Sequence, residues 1–369
     1  MKNINKNTVI KIIIGIAVLA IVIFCIKLIT GISSGGEKDV ESGYDSIPIE
    51  ANESYDFGRC GNNIVMVKNN GTYAYSDKLV SKWSIESNGA NPFIRSNGSR
   101  AVIYYMNEKV ALITDGKSTQ KVETEGEIAT ATINENGYFC IVTGETGYKS
   151  LVTVYSPDCE IIYRWHSAEN YVVDVEISPN NKSMTVATVD FSKSSVSGGV
   201  MMFNFTQEKP HVGHVLENSI VMDIAYVSKS RVVVVSDTGF YGYNAIGEKV
   251  FDAPYGNMKL TSFNINSPNN MVLVFSKDDS VVHGSVVKVY KASGKECGVF
   301  ESDETVTGVD VVDGKIMLTL GRKLKIISRS GSEKKVFNLN KDIKSALLFE
   351  NKRSAFVVSG SSAELINLR

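Results

Sequence analysis

From residue 46 onward the apolar positions fall in short runs rich in β-branched and aromatic side chains, such as Val232-Val233-Val234-Val235 and Met271-Val272-Leu273-Val274-Phe275. Polar turn residues separate the runs, and the spacing of an amphipathic helix is almost absent. This pattern predicts short β-strands. The stretch 9–30 differs. It is one continuous apolar segment, interrupted only by Lys11 and Lys27 near its two ends.

The strands repeat. A turn rich in Asn, Gly, Asp and Ser, following one strand and preceding a more apolar one, occurs around Asn62, Asn97, Asn136, Asn180, Lys229, Asn269, Asp313 and Asn351. The intervals are 35, 39, 44, 49, 40, 44 and 38 residues, and a spacing near 40–45 is that of one four-stranded propeller blade. A second turn recurs inside the units, for example Ser76-Asp77-Lys78, Asp115-Gly116-Lys117 and Ser293-Gly294-Lys295. Each unit therefore reads as strands a, b, c and d, the first turn joining a to b and the second joining c to d.

There are eight a–b turns but seven c–d turns, so the last unit lacks strand d. The segment 46–50 precedes the first unit and is expected to supply it, closing the ring and removing exposed sheet edges. Pro48 suits an outermost strand, where a missing N–H is tolerated. The fold class expected is all-β: an eight-bladed β-propeller over 46–369. Seven blades would follow if 55–60 were not an inner strand.

Charge adds a second element. The chain of 369 residues carries 39 Lys+Arg and 40 Asp+Glu, which speaks against a nucleic-acid partner, since phosphate binding needs a basic surplus. The first thirty residues hold Lys2, Lys6, Lys11 and Lys27 and no acid. As a helix, 9–30 is ~33 Å long, enough to cross a bilayer core of ~30 Å, and its lysines can snorkel to the headgroups. The expected layout is a cytoplasmic tail (1–8), a transmembrane helix (9–30), a flexible Gly/Ser-rich, acidic linker (31–45) and the propeller. The basic residues before the span place the N-terminus in the cytoplasm and the propeller outside. A cleaved signal peptide is the alternative reading of 9–30.

This layout resembles an uncharacterised family of single-pass, membrane-anchored bacterial β-propellers of WD40-like and quinoprotein-like repeats. The resemblance implies extracytoplasmic display and a scaffold or ligand-binding role. Ser76-Asp77-Lys78 with Trp83, Gly247-Glu248-Lys249 and Gly294-Lys295 are only fragments of a quinoprotein blade motif, so no cofactor is expected.

Few residues offer chemistry. Asp174, Asp223 and Asp310 each stand between apolar neighbours on an inner strand. Three such acids around one channel are candidate cation ligands, and they equally suit hydrogen bonding to neighbouring blade backbones. His211 and His214 are expected on opposite faces of an outer strand. Cys140 and Cys159 are placed two strands apart, too far for a disulfide. The b–c connections look long in blades three (144–149), four (190–199) and six (276–285), and long loops on a rigid scaffold commonly carry binding. The function expected is a protein-interaction scaffold or ligand-binding module whose partner is an envelope protein or cell-wall polymer. A propeller enzyme, either a quinoprotein-like oxidoreductase or a polysaccharide lyase or hydrolase, is the alternative.

Overall fold

The computed structural model describes the backbone of Glu37–Asp39 and residues 46–50, 52–192, 194–277 and 283–369. These form eight sheets of four antiparallel strands each, one of which gains a fifth, parallel strand from Glu37–Asp39. Strand a begins at Tyr55, Pro92, Ile128, Tyr171, Val221, Lys259, Gly308 and Ile343 in blades one to eight. Tyr55–Cys60 pairs along its whole length with Asn63–Lys68, which makes it an inner strand and gives eight blades rather than seven.

The b strands are enclosed by neighbouring blades on both faces, which explains their unbroken apolar runs. Arg231–Ser236 and Met271–Ser276 are buried at five of six positions. The outer d strands have one free face and alternate, as in Val212–Glu217. The core is correspondingly divided into eight apolar clusters, each bridging one pair of adjacent blades. Cys60, Ile94 and Ile103 join blades one and two. Phe349 and Phe356 of blade eight meet Ile64 and Met66 of blade one. The ring is thus closed by packing as well as by pairing.

Blade eight has three strands from the C-terminal end of the chain, and its fourth is Ile47–Pro48, antiparallel to Ala363 and Ser362. Ile47 and Ile49 are buried in the closing cluster. Glu37–Asp39, within the expected flexible linker, instead runs parallel to Val336–Asn338 on the outer edge of blade seven. The span expected over 9–30 lies outside the described residues. Among the described residues no helix is long and apolar enough to cross a membrane.

Two turns show why glycine is needed. Gly331 (φ +84°) sits where an added Cβ would lie 1.9 Å from the Val299 carbonyl oxygen of blade six, so any side chain there separates the blades. Gly147 (φ +87°) completes a two-residue turn between Glu145 and Tyr148. The b–c connection of blade three is therefore a long hairpin rather than a long loop, because the left-handed glycine lets the strands pair to their ends. In blade four the loop lies between Asp190 and Ser197. In blade six it follows Ser276 and includes 278–282, outside the described residues.

Candidate functional site

Strand a runs from the face carrying the b–c and d–a connections, here the loop face, to the face carrying the a–b and c–d turns, the turn face. The central channel lies between the a strands. Toward the turn face it holds a cavity of about 870 Å³, lined by the a strands and their a–b turns.

Two ionic clusters line it. In the first, Asp174 and Glu176 of blade four, Asp223 of blade five and Arg95 of blade two face one another. Asp174 Oδ2 and Asp223 Oδ1 both accept from the Ile224 N–H, at 3.1 and 3.0 Å. The Thr132 hydroxyl of blade three donates to Glu176 Oε1 at 3.0 Å. Burial pushes all three carboxyls up, Glu176 to about 8, and the charge of Asp223 adds to the shift of Asp174 and Glu176 while Arg95 opposes it. In the second cluster Asp310 Oδ2 accepts from Arg59 Nη1 at 2.6 Å and from the Leu348 N–H at 2.7 Å. Arg59 Nη1 also donates to the Leu348 carbonyl at 3.2 Å.

The structure brings Asp174 and Asp223 together but sets Asp310 apart, in blade seven, with Arg59. Asp174 and Asp310 each cap the backbone N–H of the next blade's inner strand. Asp56 does the same for blade two, accepting from the Ile94 N–H at 2.9 Å. Sequence reading missed Asp56, although Tyr55-Asp56-Phe57 repeats the apolar-Asp-apolar pattern. It also missed Glu176, Arg95 and Arg59. Among the described residues no group of three or more His, Cys, Asp or Glu is placed to hold a metal ion.

The raised carboxyls give a pH prediction. Below pH ~4.5 Glu176 is protonated in both the folded and unfolded chain. Between that pH and about 8 only the folded chain keeps the proton, so stability falls as pH rises through this window. Glu176→Gln keeps an acceptor for Thr132 and removes the titration. The variant is expected to melt with the wild type near pH 4.5 and to exceed it by about 2 kcal/mol at pH 8.5, after allowance for channel water. Thermal melts across this range check it, and parallel curves would refute it.

Both His211 and His214 approach the c–d turn of blade five, with their Nε2 atoms 3.4 Å from the Ala245 carbonyl and 2.7 Å from the Gly247 carbonyl. The two meet one turn instead of lying on opposite faces because His211 precedes the strand, which starts at Val212. Cys159 lies in the c–d turn at φ 65°, not on strand d, and its thiol donates to Gln120 of blade two.

The loop face has a different character. The a strands of blades three, four, five, six and eight each contain a β-bulge near their start. The extra residue, Ala129, Val173, Met222, Thr261 or Lys344, is exposed in every case. A bulge re-aims one side chain, and here it turns that residue toward solvent. Val173 (37% exposed) and Met222 (48%) stand on adjacent blades beside Tyr171 (45%) and Ile220 (40%). Phe191 (60%), from the long loop of blade four, lies 6.3 Å from the Tyr171 ring, and Lys149 Nζ lies 5.1 Å from that ring's centre. His166 pairs with Glu145 at 3.0 Å and packs against Tyr148.

Comparison with known proteins places this architecture. Residues 38–368 match a family of unknown function, DUF5711, and the chain belongs to it. No curated relative matches the chain in sequence. Chaetomium thermophilum Sqt1, solved bound to the N-terminus of ribosomal protein L10, is similar in fold, with a TM-score of 0.61 and 10% identity over 89% of this chain and 100% of that one. BamB from Moraxella catarrhalis gives 0.54 and 9% over 89% and 99%. The RRP9 WD40 repeats give 0.52 and 10% over 90% and 100%. At these identities the likeness is one of fold.

Proposed function

We propose that this member of a family without an assigned function is a membrane-anchored scaffold, its propeller displayed outside the cytoplasmic membrane with the loop face of blades three to five presented to an envelope protein. The observation that carries the reading is the group of exposed apolar side chains on that face. Apolar patches of this kind on a rigid surface mark interaction sites, and a preformed surface binds at low ordering cost. The apolar, lysine-flanked segment 9–30 supports the anchor, and the basic bias before it supports a cytoplasmic N-terminus. A protein partner is favoured over a cell-wall polymer because the patch is apolar. Sqt1, of similar fold, is a propeller solved with a protein segment bound.

The test is site-specific photocrosslinking in intact cells. A benzoylphenylalanine at position 191 is expected to give one discrete protein adduct. The same group at position 299, on the outer wall of blade six, is expected to give none. No adduct from 191, or the same adducts from both positions, would overturn the reading.

A further inference from the structure

The charges around the apolar patch point to the kind of segment that covers it. Tyr148, Tyr171, Val173, Phe191, Ile220 and Met222 stand exposed on blades three to five. Around them the connections and strand ends of the same face carry exposed Glu125, Glu127, Glu145, Glu169, Glu217 and Asp237. None of these six forms a salt bridge with Lys or Arg among the described residues. Glu145 meets only His166, and Asp237 only the Ser219 hydroxyl and the Ile220 N–H. Lys149 is the one base described in these connections, and it is turned over the Tyr171 ring. Lys193 lies outside the described residues.

The opposite half of the same face is built differently. Among the described residues of blades six to eight the acids of this face are paired: Lys277 pairs with Glu301 at 3.1 Å, Arg322 with Asp342 at 2.8 Å, Lys323 with Glu304 at 3.1 Å, and Lys341 with Glu364. Blades three to five thus present an apolar centre with an unneutralised acidic border, and the described residues of blades six to eight present paired charges. An unpaired border of one sign raises the local concentration of an oppositely charged partner and fixes its register.

We propose that the loop face of blades three to five docks a protein segment with apolar side chains at its centre and Lys or Arg on its flanks. This rests on the scaffold reading above and adds the chemistry of the partner. The apolar residues of the segment cover Tyr171, Val173, Phe191 and Met222, and its basic flanks meet the carboxylates of the border. Binding weakens with salt, because the flanking pairs are exposed and screened.

The full 369-residue chain, purified in mild detergent, is titrated with a fluorescent peptide of sequence Lys-Lys-Leu-Phe-Leu-Lys-Lys. Control peptides carry Glu at the four flanking positions, or Ser at the three central ones. Both controls are expected to bind at least tenfold more weakly than the probe, and affinity for the probe is expected to fall at least tenfold between 50 and 500 mM salt. Tyr171→Ser with Phe191→Ser, at exposed positions, is expected to weaken the probe tenfold without changing the melting temperature. Glu125→Gln with Glu127→Gln is expected to flatten the salt dependence. Equal binding of the probe and the Glu-flanked control would overturn the proposal. So would an unchanged affinity in both double variants. An adduct from position 191 whose crosslinked segment is acidic sinks this proposal alone, whereas absence of any adduct there sinks the scaffold reading beneath it.

Discussion

Replacing Asp310 by alanine is expected to cost the propeller about 3–5 kcal/mol, the usual penalty for removing one partner of a buried ion pair. The carboxylate is 3% exposed and ties its own blade to two others. It lies in blade seven, accepts from the Leu348 N–H of blade eight, and pairs with Arg59 of blade one. Alanine leaves a backbone donor without its acceptor and a guanidinium whose remaining carboxylate is the more distant Glu350, at 3.7 Å, beside the Leu348 carbonyl. Asparagine is expected to cost less, since its amide oxygen can still accept from Leu348. Urea denaturation of the two variants beside wild type checks this. A loss below 1 kcal/mol for alanine would show that the pair is dispensable.

The second large effect concerns ring closure. Ile47→Asp with Ile49→Asp is expected to destabilise the molecule by about 4 kcal/mol or more, because two buried apolar side chains are lost and two charges take their place. Both isoleucines pack in the cluster that joins blade eight to blade one. Their removal also strips the outer edge from Ser362–Asn367, so the variant is expected to associate through that edge as well as to melt early. Thermal melting with light scattering reads both outcomes. Unchanged melting would mean that the C-terminal three strands close the ring unaided.

Much of this fold is legible in the sequence for a physical reason. Strands enclosed on both faces must be apolar throughout, and tight turns must be Asn- or Gly-rich, so the eight repeats stand out even though their sequences differ. The missing strand d of the last unit follows from counting. The ionic clusters were only half visible. Asp174, Asp223 and Asp310 stand out because an acid between apolar strand residues is conspicuous. Arg59 does not, since its partner Asp310 is 251 positions away and only the ring brings them together. Val173 and Met222 are concealed in another way. They sit inside apolar runs and read as core, yet a bulge of one residue shifts them out of the strand's alternation and into solvent. That part of the proposed docking surface is therefore written in residues that resemble core by composition and differ only by register.

The direction of one short pairing has a consequence for how the disc is held. Glu37–Asp39 runs parallel to Glu333–Asn338, the d strand of blade seven, and every d strand leads from the turn face toward the loop face. Glu37 is therefore the turn-face end of this pairing, on the outer edge of blade seven. With the proposed anchor at 9–30, only residues 31–36 separate bilayer from disc, a reach of at most ~20 Å. On that proposed anchor the turn face and the mouth of the channel cavity would be the side held toward the bilayer. Blade three, across the eight-membered ring from blade seven, would then carry its acidic, aromatic surface on the side away from the anchor.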